Sequence, residues 1–339
     1  MLSVREVDAA DWPAIAARFH DLTFEQSLSY SSAAARRIAA RTIYLSVMEE
    51  GALRAAVCLR IKTVPGFGRG IAWAAGGPMT NPKESPRSDP GEVLAALKAY
   101  VCDRCGHILR LRFPVSPGPE PEEIEAIAAG RGFYPAGQAA RYETVMIDLR
   151  QSEEALMKGL HQKWRNALRN AQKKALEIEH GDFHDARLRA RFEAVYDDVQ
   201  QIKGFAPDIP PGFYETLEGP DFTHHILMAR QGDRDVATMT LGQTGKGLVY
   251  LFGATSAQGR RLNAGYALMW QAILMGQAQG LSFFDLGGID EETNPDVTRY
   301  KRRTGGREIT AAGPFEARPS GPLPVLILAA ETVRKRIGR

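Results

Sequence analysis

Apolar and polar positions form a pattern that occurs twice along this chain. Ile43 to Glu49 and Arg54 to Thr63 are rich in alternating or β-branched apolar residues and flank Glu50-Gly51, which predicts a β-hairpin. Ile71 to Ala75 predicts a third strand, stopped by Gly76-Gly77-Pro78. A proline-rich break from Thr80 to Pro90 follows. Asp89 then caps a predicted helix running to about Cys105, with Gly106 as its stop. Ile108 to Phe113 predicts a strand, Pro121 to Gly130 a helix and Tyr142 to Leu149 another strand.

The second half repeats this order. His224 to Arg230 and Asp235 to Gln243 predict strands joined at Gly232-Asp233. Leu248 to Gly253 predicts a third strand. Asn263 caps a helix that stops at Gly280, and Ser282 to Leu286 predicts the next strand. A repeat of roughly 175 residues is far too long for a solenoid and reads as two copies of one mixed α/β domain.

Between the halves, Leu156, Leu160, Trp164, Ala167, Leu168, Ala171 and Ala175 fall on one helical stripe. The spacing predicts one helix from Glu153 to Glu177, with Lys158, Arg165, Arg169 and Lys173 together on a neighbouring face. That face is either an ordinary solvated surface or a landing strip for a polyanion such as RNA or a phosphate-rich substrate. A second helix is expected from Asp185 to Ile202.

The 339 residues fit two domains, and a composition 44% hydrophobic and 24% charged describes a soluble globular protein. A net charge of +3 gives no general indication of nucleic-acid binding. The three cysteines make no disulfide framework and fit a reducing compartment; Cys102 and Cys105 have C-x-x-C spacing but no second pair, which favours a structural role. Charges near Met1 stand where a secretory signal needs an apolar run, and no stretch is apolar enough to span a bilayer. The expected location is cytoplasmic, with peripheral contact at the inner membrane as an option. The histidines show no metal-ligand spacing, so no metal is expected.

Asp285-Leu286-Gly287-Gly288-Ile289-Asp290 is the densest chemical feature. A short apolar run ends in two glycines, and a loop leads to the cationic turn Arg299-Tyr300-Lys301-Arg302-Arg303. A carboxylate, flexible backbone and fixed positive charge together can hold an anionic ligand. There is no G-x-S-x-G elbow and no P-loop, which removes serine-hydrolase and nucleotide phosphotransferase readings.

These segments resemble the FemABX family. Leu160 to Arg169 is similar to that family's K-x-R-N-x-x-R/K helix start. Asp285 to Asp290, with Tyr300-Lys301 and Gly305-Gly306, is similar to its D-x-G-G and F-K-x-x-F/T-G segments. Phe24 to Tyr30, Trp73 to Pro78 and Lys203-Gly204-Phe205 also fit. The resemblance implies mixed α/β sheets in tandem GNAT-type (N-acetyltransferase) domains, over residues 1–150 and 151–317, with residues 318–339 packing back on the first. It implies an acyltransferase that moves an aminoacyl group from aminoacyl-tRNA to an amine of a phosphate-bearing peptidoglycan precursor, with no cofactor beyond the tRNA co-substrate.

The resemblance gives Lys301 a place near the acyl donor, where a fixed cation stabilises the developing oxyanion. Asp285 either anchors the loop, binds the incoming amine or takes its proton. Gly287 and Gly288 either let backbone approach the ligand or simply turn the chain. Tyr300 stands where the family usually has Phe and packs against substrate. Arg302 belongs to the same cationic turn. Lys163 and Arg165 bind phosphate or cap a packing surface. Lys203 precedes a proline-rich loop that is either a cleft cover or a plain connector. Arg36 and Arg37 lie near the family's phosphate-contacting lysine.

The alternative is an acyl-coenzyme A-dependent N-acyltransferase acting on a small amine. Its glycine-rich pyrophosphate turn would fall at Gln258 to Gly265, where the compact pattern is not met. A non-catalytic binding scaffold is a third reading. At the C-terminus, apolar Leu323 to Leu328 precedes Arg334, Lys335, Arg336 and Arg339, giving a packed terminal helix or a lipid-surface contact.

Overall fold

A computed structural model describes residues 2–115, 120–136, 141–203, 209–217 and 219–337. The chain divides into two compact units, one of residues 1–141, 218–221 and 310–339, the other of residues 142–217 and 222–309.

The first unit opens with β1 (Ser3–Val7), α1 (Trp12–Ala16), α2 (Leu28–Arg37), β2 (Arg41–Glu49) and β3 (Ala52–Thr63). It continues through β4 (Gly70–Ala74), α3 (Pro90–Lys98), β5 (Ile108–Leu111), α4 (Pro121–Gly130) and β6 (Tyr134–Pro135). The second unit contains β7 (Glu143–Asp148), α5 (Glu153–Gly159), α6 (Gln162–Gln172), β8 (Glu177–Asp182), α7 (Ala186–Lys203), β9 (Thr223–Gln231) and β10 (Arg234–Thr244). It ends with β11 (Gly247–Thr255), α8 (Ala257–Leu262), α9 (Ala264–Ala278), β12 (Phe283–Gly288), α10 (Pro295–Arg302) and β13 (Arg307–Thr310). The chain then returns to the first unit as β14 (Phe315–Ala317) and α11 (Leu323–Ile337).

Each unit holds one mixed sheet, ordered β1-β2-β3-β4-β5-β14-β6 in the first and β13-β7-β12-β11-β10-β9-β8 in the second. In each, an antiparallel hairpin leads to a strand that pairs in parallel with the strand beyond the next helix: β4 with β5, and β11 with β12. A parallel neighbour requires such a crossover, so the helices cover the sheet. The predicted repeat is therefore a repeat of topology. Apolar β9 and β10 residues Leu227, Ala229 and Leu241 pack against Leu268, Met269 and Ile273 of α9 and Trp164 and Leu168 of α6.

Two expectations are corrected, and a third, the helix from Asp89 to about Cys105, holds with a change of helix type in its last part. The long helix from Glu153 to Glu177 is two helices and the start of a strand. Leu160 adopts extended geometry (φ −58°, ψ 136°), the His161 ring accepts the Lys163 amide at 3.2 Å, and the Arg165 guanidinium donates to the Lys158 and Leu160 carbonyls at 2.8 Å. Gly159 ends α5 at this bend, and those bonds satisfy groups that a helix end leaves open. The helix begun by Asp89, whose carboxylate accepts the Gly91 and Glu92 amides, gives way to a π-helical turn over Ala99–Arg104 before Gly106 at φ +71°. The cationic turn around Lys301 is the last turn of α10, and β12 runs on to Gly288.

Cys58 and Cys102 are buried, Cys105 is half-buried, and all three are free thiols. Among the described residues, no helix is long and apolar enough to cross a membrane.

Candidate active site

β12 is flanked by β7 and β11, and its C-terminal end is irregular on the β7 side. Asp285 pairs with Met146 but Gly288 pairs with Thr144, so the register slips between them. Asp285 supports that bulge. Its carboxylate accepts the Gly287 amide at 2.8 Å, the Tyr142 hydroxyl at 3.3 Å and the Thr144 hydroxyl. Thr144 also lies 3.0 Å from the Gly287 carbonyl, and its single proton can serve only one of the two acceptors at a time. Gly287 has φ +73°, and a β-carbon there would sit 2.9 Å from the Tyr250 carbonyl oxygen. Both the conformation and the close approach of β11 require glycine at this position.

Lys301 reaches this bulge from α10. Its Nζ donates to the Gly288 carbonyl at 2.8 Å and the Gly287 carbonyl at 3.2 Å, and lies 5.2 Å from the centre of the Tyr250 ring. The side chain is only 5% exposed. Burial lowers its pKa to about 8, while the Asp285 charge opposes that shift. A protonated lysine has three N–H donors, and the third has no acceptor among the described residues.

Tyr300, the preceding residue, anchors α10. Its hydroxyl donates to the Gly265 carbonyl at 2.8 Å, and its ring packs against Trp164 and Tyr266 at centroid distances of 6.0 and 5.2 Å. Burial raises the Tyr300 pKa well above the ordinary value. Thr298, buried on the same helix, exchanges hydrogen bonds with the Asp290 backbone at 2.9 and 3.0 Å. The α5–α6 break reaches α10 too, because the His161 amide donates to the Arg303 carbonyl at 3.0 Å. A β-carbon on Gly305 would lie 2.4 Å from the Gly159 carbonyl oxygen.

The structure thus gathers Lys301, Asp285, Gly287, Gly288 and Tyr300 at one end of β12. Arg302 points away from this cluster and is exposed, paired with Glu291 and, at 3.0 Å, with Glu308. Lys163 is exposed on the first turn of α6, and Arg165 is held by the α5–α6 bend. Arg36 lies exposed in the last turn of α2, in the first unit. Lys203 ends α7; its side chain and the following Gly204-Phe205 lie outside the described residues. Sequence reasoning missed Thr144 and Tyr250, because each sits on a strand that carries no motif.

β11 and β12 are hydrogen-bonded in register only from Gly247–Val249 to Phe283–Asp285. Beyond that point β12 leans on β7 and Lys301, while β11 continues to Thr255 with β10. The ammonium group therefore stands where two parallel strands stop pairing. Such a place can hold a polarised carbonyl close to a fixed cation.

The chain is similar to FemX, whose crystal structure matches with a TM-score of 0.75 at 14% identity, over 96% of this chain and 99% of that one. The fold is FemABX-like. A conserved protein of unknown function from Bacteroides thetaiotaomicron matches with a TM-score of 0.55 at 11% identity, covering 93% of this chain and 98% of that one. A tandem GNAT protein from the clavulanic acid biosynthesis pathway matches at 0.51 and 13% identity, covering 95% and 99% respectively. Residues 162–302 match the family model for an acetyltransferase (GNAT) domain. No protein of curated function matches the chain in sequence. The FemABX-like fold is thus two GNAT-type halves, and acyl transfer is the chemical class of the matched domain. That domain contains Asp285, Gly287, Gly288, Tyr300 and Lys301.

Proposed function

We propose that this protein transfers an aminoacyl group from aminoacyl-tRNA to an amine of a peptidoglycan precursor. The observation that carries this reading is the Lys301 ammonium, buried and fixed by two carbonyls with one N–H left to donate. The substrate amine attacks the ester carbonyl, forming a C–N bond, and negative charge moves to the carbonyl oxygen. Lys301 donates its remaining N–H to that oxygen. Because the ammonium is already oriented, it stabilises the transition state more than the ground state. Collapse breaks the ester C–O bond, and the proton lost by the amine goes to the departing ribose oxygen. Asp285 is a positioning residue in this scheme, since its oxygens hold the bulge and its charge supports protonated Lys301. Support for the aminoacyl donor comes from the FemX-like fold and the motifs shared with FemABX proteins.

Acyl-coenzyme A is the competing donor, and one local feature favours it. Asn263 adopts φ +57° where α8 meets α9 and makes no side-chain bond to the first turn of α9; its carbonyl takes the Tyr266 and Ala267 amides, so an anion at this helix start would be met by the two amides before them. Incubating the protein with charged tRNA or with acetyl-coenzyme A, plus peptidoglycan precursors, and following acceptor mass separates the donors. Mass gain by one aminoacyl residue from charged tRNA, abolished in Lys301→Met, is expected. Acetylation alone, or unchanged turnover in Lys301→Met, overturns the proposal.

A further inference from the structure

Helix α11 is amphipathic in an unusual sense, because an apolar stripe faces outward. Its inner face is fixed to the first unit. Ile327 is 2% exposed, and Glu331 accepts both terminal nitrogens of Arg110 at 2.7 Å. That attachment leaves Val325, Leu326 and Val333 at 68%, 53% and 55% exposure, with exposed Ala329 between them. Positions 325, 329 and 333 recur at helical spacing, so these side chains form one continuous strip rather than scattered contacts. Isolated exposed apolar residues are ordinary, but a contiguous apolar strip marks an interaction surface.

The neighbourhood adds to this. Arg110 on β5, Glu316 on β14 and Tyr134 on β6 are direct partners in adjacent strands, so they share the sheet face that receives Glu331. Tyr134 on that row is 66% exposed. Tyrosine with an apolar ring and a polar tip suits a water–lipid boundary. Acidic Glu331 is neutralised by Arg110, and the next eight residues, Thr332 to Arg339, hold four cations and no acid. An exposed apolar strip continuing into a cationic run complements an anionic bilayer.

We propose that α11 is a peripheral membrane-docking element that lies along an anionic lipid surface. The inference stands apart from the donor and acceptor of the acyl transfer. Flotation of the full chain with vesicles of phosphatidylglycerol and phosphatidylcholine, against phosphatidylcholine alone, tests it. Binding to the anionic vesicles, weakened by salt, is expected. Val325→Ser, Leu326→Ser and Val333→Ser together, and separately Arg334→Gln, Lys335→Gln and Arg336→Gln together, each lower the bound fraction by roughly tenfold. The altered apolar side chains are solvent-exposed, so circular dichroism of the variants stays that of the parent. Absence of binding to anionic vesicles, or undiminished binding by the apolar variant, overturns the proposal. So does a dimer in sedimentation that dissociates in the apolar variant without any vesicle binding, because the strip then serves a second copy of the chain.

Discussion

The Asp285 carboxylate holds the backbone amide of Gly287, two residues further along the same strand, at 2.8 Å. The bulge held this way presents two carbonyls to Lys301, and the same carboxylate favours the lysine's charged form. Asp285→Asn keeps an acceptor for the amide but removes the charge. The Lys301 pKa then falls below about 8. If protonated Lys301 is the active form, the alkaline limb of the kcat/KM profile moves to lower pH. A limb in the same place as in the parent refutes the coupling.

Lys301 also leaves a signature in stability. Its pKa is lowered in the fold from 10.5 to about 8, so the unfolded chain holds this proton over a higher range of pH. The penalty for burying the charge is complete below pH 8 and is relieved as pH rises from 8 to 10.5. The difference of 10.5 − 8 = 2.5 units corresponds to roughly 3 kcal/mol. Denaturant titrations across this range are expected to show that gain in the parent protein, and to lack it in Lys301→Met.

Gly305→Ala is expected to destabilise the fold by about 3 kcal/mol or more, combining a left-handed backbone with steric overlap. Gly305 has φ +80°, and the new β-carbon would lie 2.4 Å from the Gly159 carbonyl oxygen. Gly280→Ala is the control: φ is +64° and nothing lies within 4 Å, so only the conformational cost of about 1 kcal/mol remains. Equal losses in urea denaturation would deny the close approach of α5 and the segment after α10.

His224 is 2% exposed, stacks on Phe183 at 3.8 Å, and has no hydrogen-bond partner for either ring nitrogen among the described residues. Burial holds its pKa well below 6.5, and burial also lowers that of His180. Lowered values mean that the unfolded chain takes up protons first, so stability falls as pH drops through about 6.5 towards the folded values. His224→Phe is expected to raise stability by about 1 kcal/mol or more at neutral pH, by removing unsatisfied buried nitrogens while keeping the stack. Its stability also falls less steeply on acidification. A destabilised variant with the parent's acid slope would refute both expectations.

Much of the fold was legible because its signals are local. Glu50-Gly51 and Gly232-Asp233 turn the hairpins β2–β3 and β9–β10 where predicted, and Asp89 caps α3 through its own side chain. The site was legible as a set of residue types: Lys301, Asp285, Gly287 and Gly288 do meet. Its geometry was not. Three basic residues stand in the last turn of α10, a pattern that reads as solvated surface, yet Lys301 is buried while Arg302 is exposed.

The amino-acid sequence by itself determined the elements, the doubled α/β order and the chemistry available at residues 285–301, because periodicity, caps and glycine stops act over a few residues. Tertiary structure alone decided three things. It fixed the break of the predicted helix at Leu160, where the His161 amide donates to the carbonyl of Arg303, some 140 positions away in the chain. It aimed Lys301 inward, because two bulge carbonyls needed donors. It also returned β14 to the first sheet, between β5 and β6. The helix break and the return of β14 depend on partners distant in sequence, and the inward turn of Lys301 on a bulge geometry; side-chain spacing carries no record of either.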